Sequence, residues 1–375
     1  MEKFDIAIIG GGASGLAAAA LVSKSGKRVL VAERGARAGQ KLLMTGNGRC
    51  NLSHSPLELG AYHGDAELAR AVLAKWEGAE RFFASLGLVC VTDGDGRVYP
   101  HSNAAASVLD ALRLAAFPNA AFMPGTTCSD ITPIDGGFLI NGGIFAKKLI
   151  WAAGGGETSN FGPLGKIGHT IITPFPSLCP IITDKALTRP LKGLRVRAVC
   201  RAEAGGKTLK SERGEVQFND GSLSGICVMN LSRLVRDYGN RLTVSLDIAP
   251  DFTPGELREI INKRAGCAPE DRFTGLFRKR IGAALAQRRG DAVGLIKDWR
   301  FPVTGTAPLG KAQVTAGGVP AAELNGDLSS KLHPNLFIIG EAVNVDGDCG
   351  GYNLAWAWAS AAEAARAATR RQDLP

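Results

Sequence analysis

Residues 4–16 read Phe4-Asp5-Ile6-Ala7-Ile8-Ile9-Gly10-Gly11-Gly12-Ala13-Ser14-Gly15-Leu16, and this stretch decides the fold. Residues 4–9 are a near-continuous apolar run, the pattern of a parallel strand buried on both faces. Glycines follow at 10, 12 and 15, the spacing GxGxxG, and an Ala/Leu-rich helix then runs to the neighbourhood of Gly26. A second strand, Arg28 to Glu33, closes a βαβ unit of about thirty residues. In that setting each glycine has a task. Gly10 permits the tight turn, Gly12 lets a pyrophosphate approach the backbone, and Gly15 lets the helix pack closely on the strand. Ala13 and Ser14 open the helix, where free N–H groups face the phosphates. Glu33, with Arg34 beside it, stands where an adenosine ribose would be bound.

Three further segments carry the same chemistry. Gly39-Gln40-Lys41-Leu42-Leu43-Met44-Thr45-Gly46-Asn47-Gly48-Arg49-Cys50-Asn51 is a turn rich in N–H donors and positive charge, suited to a pyrophosphate or a flavin edge. Trp151-Ala152-Ala153-Gly154-Gly155-Gly156 follows a strand. Phe337-Ile338-Ile339-Gly340-Glu341 leads to Asp346-Gly347-Asp348-Cys349-Gly350-Gly351-Tyr352-Asn353, which sets two glycines before a long Ala-rich helix spanning about Tyr352 to Arg371. A helix N-terminus there would stabilise negative charge on a reduced flavin.

Outward from these motifs, helical patterns recur near 65–87 and 103–117, and short strands fill 122–152. Pro174, Pro176 and Pro180 mark a crossing into a different texture. Strands are expected at Leu194–Ala202, Gly214–Phe218 and Leu242–Ile248. Thr253 and Pro254, an N-cap and a first helical residue, then open a helical stretch over 253–298. A strand at Leu336–Ile339 returns to the first texture. The expected fold class is α/β, a Rossmann-like dinucleotide domain interrupted by insertions. Residues 1–178 form its first part, 179–252 an inserted β-domain and 253–298 a small helical domain. Residues 299–320 return through the β-domain, and 321–375 complete the first.

Composition bounds the rest. With 375 residues, 45% hydrophobic and 21% charged, the chain is globular and long enough for two or three domains. No run reaches the ~18 apolar residues of a membrane span, and the N-terminus reads as a buried strand rather than a signal peptide, so a cytoplasmic protein is expected. The eight cysteines form no CxxC, which leaves neither a zinc site nor a disulfide framework, and no metal is expected. Residues 184–300 hold 23 Lys+Arg against 14 Asp+Glu, so the whole net charge of +9 lies there. That excess is either a solvated basic surface or a face for an anionic partner such as RNA.

Together the segments 9–16, 39–53, 97–109 (RVYPHSNAAASVL), 214–225 (GEVQFNDGSLSG), 312–319 (AQVTAGGV) and 340–360 resemble the two-dinucleotide-binding flavoproteins of glutathione-reductase type. More closely they resemble the BaiN/RdsA-like family, which includes the enzymes called aminoacetone oxidases. The resemblance implies FAD as cofactor, held in a domain interrupted by a β-domain and a helical domain. It places Gly10, Gly12, Ser14 and Gly15 at the pyrophosphate and Glu33 at the ribose. Lys41, Gly46, Gly48, Arg49, Cys50 and Asn51 run towards the ring, with Asn47 among them. Glu341 meets the ribityl chain, and Gly350, Gly351, Tyr352 and Asn353 the pyrimidine end, with Ala153, Gly154, Gly340 and Asp346 in the flanking turns. One departure is the stretch after Gly156, ETSNFGPLGKIGHTII, which is short for the family.

A single dinucleotide fingerprint implies that NAD(P)H visits transiently, reduces FAD and leaves. The expected reaction is hydride delivery to an electron-poor C=C, in a small molecule or in a uracil of ribosomal RNA, with an acid protonating the neighbouring carbon. An RNA base would have to be unstacked to reach the flavin. Arg278, Lys279, Arg280, Arg288 and Arg289 on one helix, and Arg195, Arg197 and Arg201 on a strand, would then hold its backbone. Cys50, Cys349 and Tyr352 are the candidate proton donors, and the two cysteines could also form a redox pair. His101 and His169 read as structural or solvent-facing. Two alternatives stand beside this reading: an amine oxidase that yields hydrogen peroxide, and a flavin-containing binding protein without turnover.

Overall fold

The computed structural model describes residues 1–288 and 290–370. The chain divides into two compact units, Met1–Phe175 with Val314–Pro375, and Pro176–Gln313.

The first unit is built on β1 (Glu2–Ile9), α1 (Ala13–Val22), β2 (Val29–Ala32), α2 (Ala105–Ala116), β3 (Ala120–Met123), β4 (Ile144–Trp151), β5 (Leu336–Ile338) and α3 (Tyr352–Thr369). Its parallel strands lie in the order β3-β2-β1-β4-β5 within a seven-stranded sheet. An antiparallel hairpin, Ile131–Ile134 with Gly137–Ile140, pairs the first half of β4 and completes that sheet. The register sets Ile8 between Val31 and Ile150, so the apolar run of β1 has strands on both sides. Ile6, Ile8 and Leu30 are fully buried, and each such side chain contributes about 1.5–3 kcal/mol. Helix α1 is Ala-rich because it is buried all round, with every residue from Ser14 to Ala20 covered; small side chains let it pack on both α2 and α3.

Helix α3 starts where expected, after Gly350 and Gly351, both at positive φ. Trp358 on it is fully buried, in edge contact with Phe83 at 5.2 Å and stacked on Phe82 at 6.4 Å. Its indole N–H donates to the Leu52 carbonyl at 3.0 Å, which ties the segment after Asn51 to the last helix.

The second unit holds a closed barrel of strands Ile181–Thr183, Ser222–Ser224, Lys207–Asn219, Arg195–Ala204, Thr243–Asp247 and Trp299–Thr306, in that order. Phe218, Trp299 and Phe301 fill it, with ring centroids 5.6 to 6.1 Å apart. Strand 207–219 starts seven residues before the expected Gly214. Its first half is charged and hides the strand signal, but it pairs with 195–204 across a turn whose two residues, Gly205 and Gly206, both have positive φ. Residues 253–298 are helical in short pieces: Pro254–Asn262, Lys279–Ala286 and Ala292–Lys297. The first opens on a capping box in which Thr253 accepts from the Glu256 N–H at 3.3 Å and Glu256 accepts from the Thr253 N–H at 2.7 Å.

Among the described residues no helix is long and apolar enough to cross a membrane. Five cysteines (50, 128, 179, 200 and 227) are buried, and Sγ of Cys200 lies 3.4 Å from Sγ of Cys227. Trp358→Ala is expected to destabilise the first unit by about 3–5 kcal/mol, read as a lowered urea midpoint; an unchanged midpoint would mean that this contact does not anchor the unit.

Candidate functional site

All the expected cofactor residues lie in the first unit, and four of their segments leave the carboxyl ends of its parallel strands. Gly10 follows β1, Glu33 follows β2, Ala153 and Gly154 follow β4, and Gly340 follows β5. Because these strands run parallel, the segments that leave them share one edge, where open α/β sheets bind ligands.

The three glycines of the first turn divide their work. Gly10 has φ +104°, and a Cβ on it would stand 2.4 Å from the Ala152 carbonyl oxygen. A Cβ on Gly15 would stand 1.8 Å from the Gly10 carbonyl oxygen. These two positions are closed by backbone. Gly12 is the opposite: its φ of −81° suits any residue, and a Cβ there would meet nothing within 4 Å. The open space lies at the amino end of α1, which has neither a side-chain cap nor an acidic residue in its first turn. Donors and dipole are thus left for an anion. Glu33 accepts from the Gly11 N–H and the Gly35 N–H, both at 2.7 Å, and each oxygen keeps a lone pair for a further donor. Arg34 reaches sideways to Asn160 Oδ1 at 3.1 Å.

The segment 39–51 is a short helix, Gln40–Met44, followed by a left-handed turn. Gly46, Asn47, Gly48 and Cys50 all have positive φ, between 57° and 84°. For Asn47 and Cys50 that conformation costs on the order of 1 kcal/mol or more. Lys41, Gly46, Asn47, Gly48 and Arg49 are exposed, and Arg49 lies over the Tyr99 ring at 4.1 Å. Cys50 is fully buried, and burial pushes its thiol up to about 11. Asn51 Oδ1 is buried with no donor, yet a Cβ on Gly351 would stand only 2.8 Å from it.

At the other end, Glu341 accepts from the Thr315 N–H at 2.6 Å and the Gly155 N–H at 3.3 Å. Asp346 is buried. The Tyr352 ring stacks on His54 at 5.3 Å and meets Tyr62 edge-on, and burial together with the Glu58 and Asp348 carboxylates pushes its phenol up to about 12. Asn353 spends its amide on Gly347, donating to the carbonyl and accepting from the N–H, both at 2.8 Å. Its role is thereby to fix the turn before α3. Burial raises the Cys349 thiol while Arg97 pulls the other way. Neither Cys50 nor Cys349 is in a disulfide, and the cysteine whose charge bears on Cys50 is Cys90.

Four residues beside these turns escape a motif reading. His54, Tyr62 and His63 sit on two- and three-residue strands too short to show a period, and Asp348 shows its partner only in three dimensions. His63 Nε2 lies 2.8 Å from Asp348 Oδ1. Of the two histidines read as structural or solvent-facing, His101 is exposed, and His169 is buried between Glu323 and Ser330, at 2.6 and 3.0 Å.

The basic side chains of the second unit are less free than their number implies. Arg280 donates to the carbonyls of Pro190 and Lys192. Arg201 bonds Ser245 and the Lys297 carbonyl, Arg195 pairs with Glu215, and Arg288 lies over Trp299 at 5.3 Å. The helix expected to carry 278–289 covers only Lys279–Ala286, and Arg289 lies outside the described residues. Arg197, Arg278 and Lys279 remain exposed.

The site residues fit a dinucleotide: an open, uncapped helix end, a left-handed backbone turn, and an orphaned acceptor at Asn51. The profile of the HI0933-like protein Rossmann domain matches residues 4–367. The chain belongs to that family. This HI0933-like protein is 33% identical to a 3-dehydro-bile acid delta(4,6)-reductase of Clostridium scindens, over 98% of this chain and 99% of that one. It is 27% identical to a ribosomal RNA dihydrouridine synthase of Escherichia coli, over 96% and 97%. Among solved structures it shares its fold with a 3-ketosteroid delta1-dehydrogenase of Sterolibacterium denitrificans (TM-score 0.52, 13% identity, 98% of this chain and 100% of that one). A flavocytochrome c3 fumarate reductase gives a TM-score of 0.51 at 14% identity, over 98% and 78%. The protein is an FAD-dependent oxidoreductase.

Burial makes a checkable statement about the thiols. With native protein at pH 8, iodoacetamide is expected to modify exposed Cys267 and leave Cys50 untouched, as read by peptide mass spectrometry. Equal labelling of both would show that the segment 45–51 opens freely.

Proposed function

We propose that this protein reduces an electron-poor carbon–carbon double bond, using electrons that NAD(P)H delivers transiently to bound FAD. The observation that carries the reading is the pairing of an open Gly12 at an uncapped helix with relatives whose printed names share one chemistry. A delta(4,6)-reductase and a dihydrouridine synthase act on unlike molecules, and each saturates a ring double bond conjugated to a carbonyl.

When bound, FAD supplies the hydride chemistry. The residues have separate duties around it. Gly10, Gly12, Ala13, Ser14 and Gly15 receive the pyrophosphate on backbone N–H groups, and Glu33 and Arg34 bind the adenosine end. Lys41, Gly46, Asn47, Gly48 and Arg49 would flank the path towards the ring, and the orphaned Asn51 Oδ1 would accept a hydrogen bond from the bound cofactor. Ala153, Gly154, Gly340, Glu341 and Asp346 shape the ribityl passage. The amino end of α3, at Gly350, Gly351 and Tyr352, would stabilise negative charge on a bound cofactor.

The small unsaturated molecule is the favoured substrate. The internal engagement of Arg201, Arg280 and Arg288 leaves fewer cations for a phosphate backbone than the net charge implies, which supports this choice over ribosomal RNA. Flavin should be bleached anaerobically by NADH or NADPH and recover its colour on adding a 3-oxo-4,6-diene steroid acid, with turnover insensitive to salt. Recovery only with ribosomal RNA, and a steep loss as salt rises, would move the substrate to a uracil. Peroxide formation from amines without NAD(P)H would replace the reading by the oxidase. Gly12→Val supplies a check on the cofactor assignment. It should fold normally, because its space is open and its φ unexceptional, yet lose FAD affinity by about 100-fold or more, measured by flavin titration; unchanged affinity would clear Gly12 of any phosphate contact.

A further inference from the structure

The reduction proposed above needs a proton as well as a hydride, and two of the three groups first expected to give it, Cys50 and Tyr352, are poorly placed. Cys50 has no exposed surface. Tyr352 is 5% exposed, its ring covered by His54 and Tyr62. His54 is held by a backbone carbonyl instead of a carboxylate, with Nδ1 2.8 Å from the Pro56 carbonyl, and its ring stacks on Tyr352.

His63 is more open than either Cys50 or Tyr352. It sits on a short strand, Tyr62–Gly64, that pairs antiparallel with Val345–Gly347 and places His63 opposite Asp346. The Asp348 N–H donates to the Ala61 carbonyl at 2.9 Å, which brings the Asp348 side chain beside His63. Asp348 then leads directly into Cys349, Gly350, Gly351 and Tyr352, the turn at the amino end of α3. The side chain of His63 is 28% exposed and that of Asp348 18%. A carboxylate only accepts, so Nε2 carries the hydrogen of the 2.8 Å contact and the free valence falls on Nδ1. Among the described residues Nδ1 has no partner. A carboxylate that orients one ring nitrogen and leaves the other for chemistry is a recurring general-acid arrangement.

We propose that His63 is the catalytic acid of the reduction and that Asp348 is its positioning residue. This inference rests on the C=C reading given above. The β-carbon of the substrate gains the hydride, with its two electrons, that FAD received from NAD(P)H. The π pair moves to the α-carbon, and the Nδ1–H bond of the His63 imidazolium breaks as the new α-C–H bond forms. A neutral imidazole remains and is reprotonated from solvent. The net change is one C=C, one NAD(P)H and one proton converted to one saturated bond and NAD(P)+.

The test compares wild-type, His63→Gln and Asp348→Asn holoenzymes, each reduced anaerobically and mixed with the 3-oxo-4,6-diene steroid acid. His63→Gln should slow flavin reoxidation by the steroid by about 100-fold or more. Bleaching by NAD(P)H, and reoxidation by ferricyanide, which needs no proton at carbon, should stay within about twofold. Product made in D2O should carry deuterium on one face of the α-carbon with wild type and on both faces with His63→Gln. Asp348→Asn should slow the same step and Asp348→Glu restore much of it, with FAD content and melting temperature unchanged in all variants. Steroid-dependent reoxidation of His63→Gln at the wild-type rate, or deuterium still on one face, would overturn the assignment. Uniform slowing with ferricyanide too would also overturn it, because His63 would then serve only to hold the flavin. A wild-type enzyme that reduces neither the steroid nor a uracil would remove the underlying C=C reading instead, and the acid with it.

Discussion

The structure depends on a contrast in space between neighbouring backbone atoms. At Gly10 and Gly15 the turn after β1 is packed so tightly against Ala152 and itself that a single methyl group would collide with carbonyl oxygens at 2.4 and 1.8 Å. Two residues after Gly10 and three before Gly15, at Gly12 and the amino end of α1, nothing approaches within 4 Å of a virtual Cβ. Close packing on one side holds the helix end rigid, and openness on the other leaves its N–H groups and dipole unspent. A dinucleotide phosphate satisfies both at once. The rest of the first unit maintains that arrangement: β1, β2, β4 and β5 deliver their following turns to the same edge, and α3 closes it.

That architecture also explains why polar groups in the unit are already half occupied. Glu33 and Glu341 each take backbone N–H donors with both oxygens, so their carboxylates are fixed before any cofactor arrives. Preorganised acceptors need little reorganisation on binding, which favours affinity. The left-handed residues Asn47 and Cys50 tell a related story. Holding two non-glycine residues at positive φ is unfavourable, and the burial of Cys50 and the Trp358–Leu52 hydrogen bond supply the compensation nearby. Cys50 thus serves the turn by packing.

Much of this was legible in the residues, for physical reasons that can be named. The GxGxxG turn declares itself because only glycine tolerates the backbone contacts at positions 10 and 15, and the strand before it because burial on both faces demands a continuous apolar run. The start of α3 was visible in Gly350-Gly351. What stayed hidden depends on partners far along the chain. The first half of strand 207–219 is charged and reads as a loop until 195–204 pairs with it. Arg201 and Arg280 look like free cations until Ser245, Pro190 and Lys192 are brought to them. His63 and Asp348 are 285 positions apart, and no spacing rule joins them.

The proposed site holds one FAD along the carboxyl edge of the first unit. Titration of stripped protein with FAD, followed by quenching of flavin fluorescence, tests it directly. The predicted result is saturation at one FAD per chain, with ADP-ribose competing because it offers the same pyrophosphate and adenosine. Failure of the apoprotein to take up FAD, or uptake that ADP-ribose leaves untouched, would contradict it.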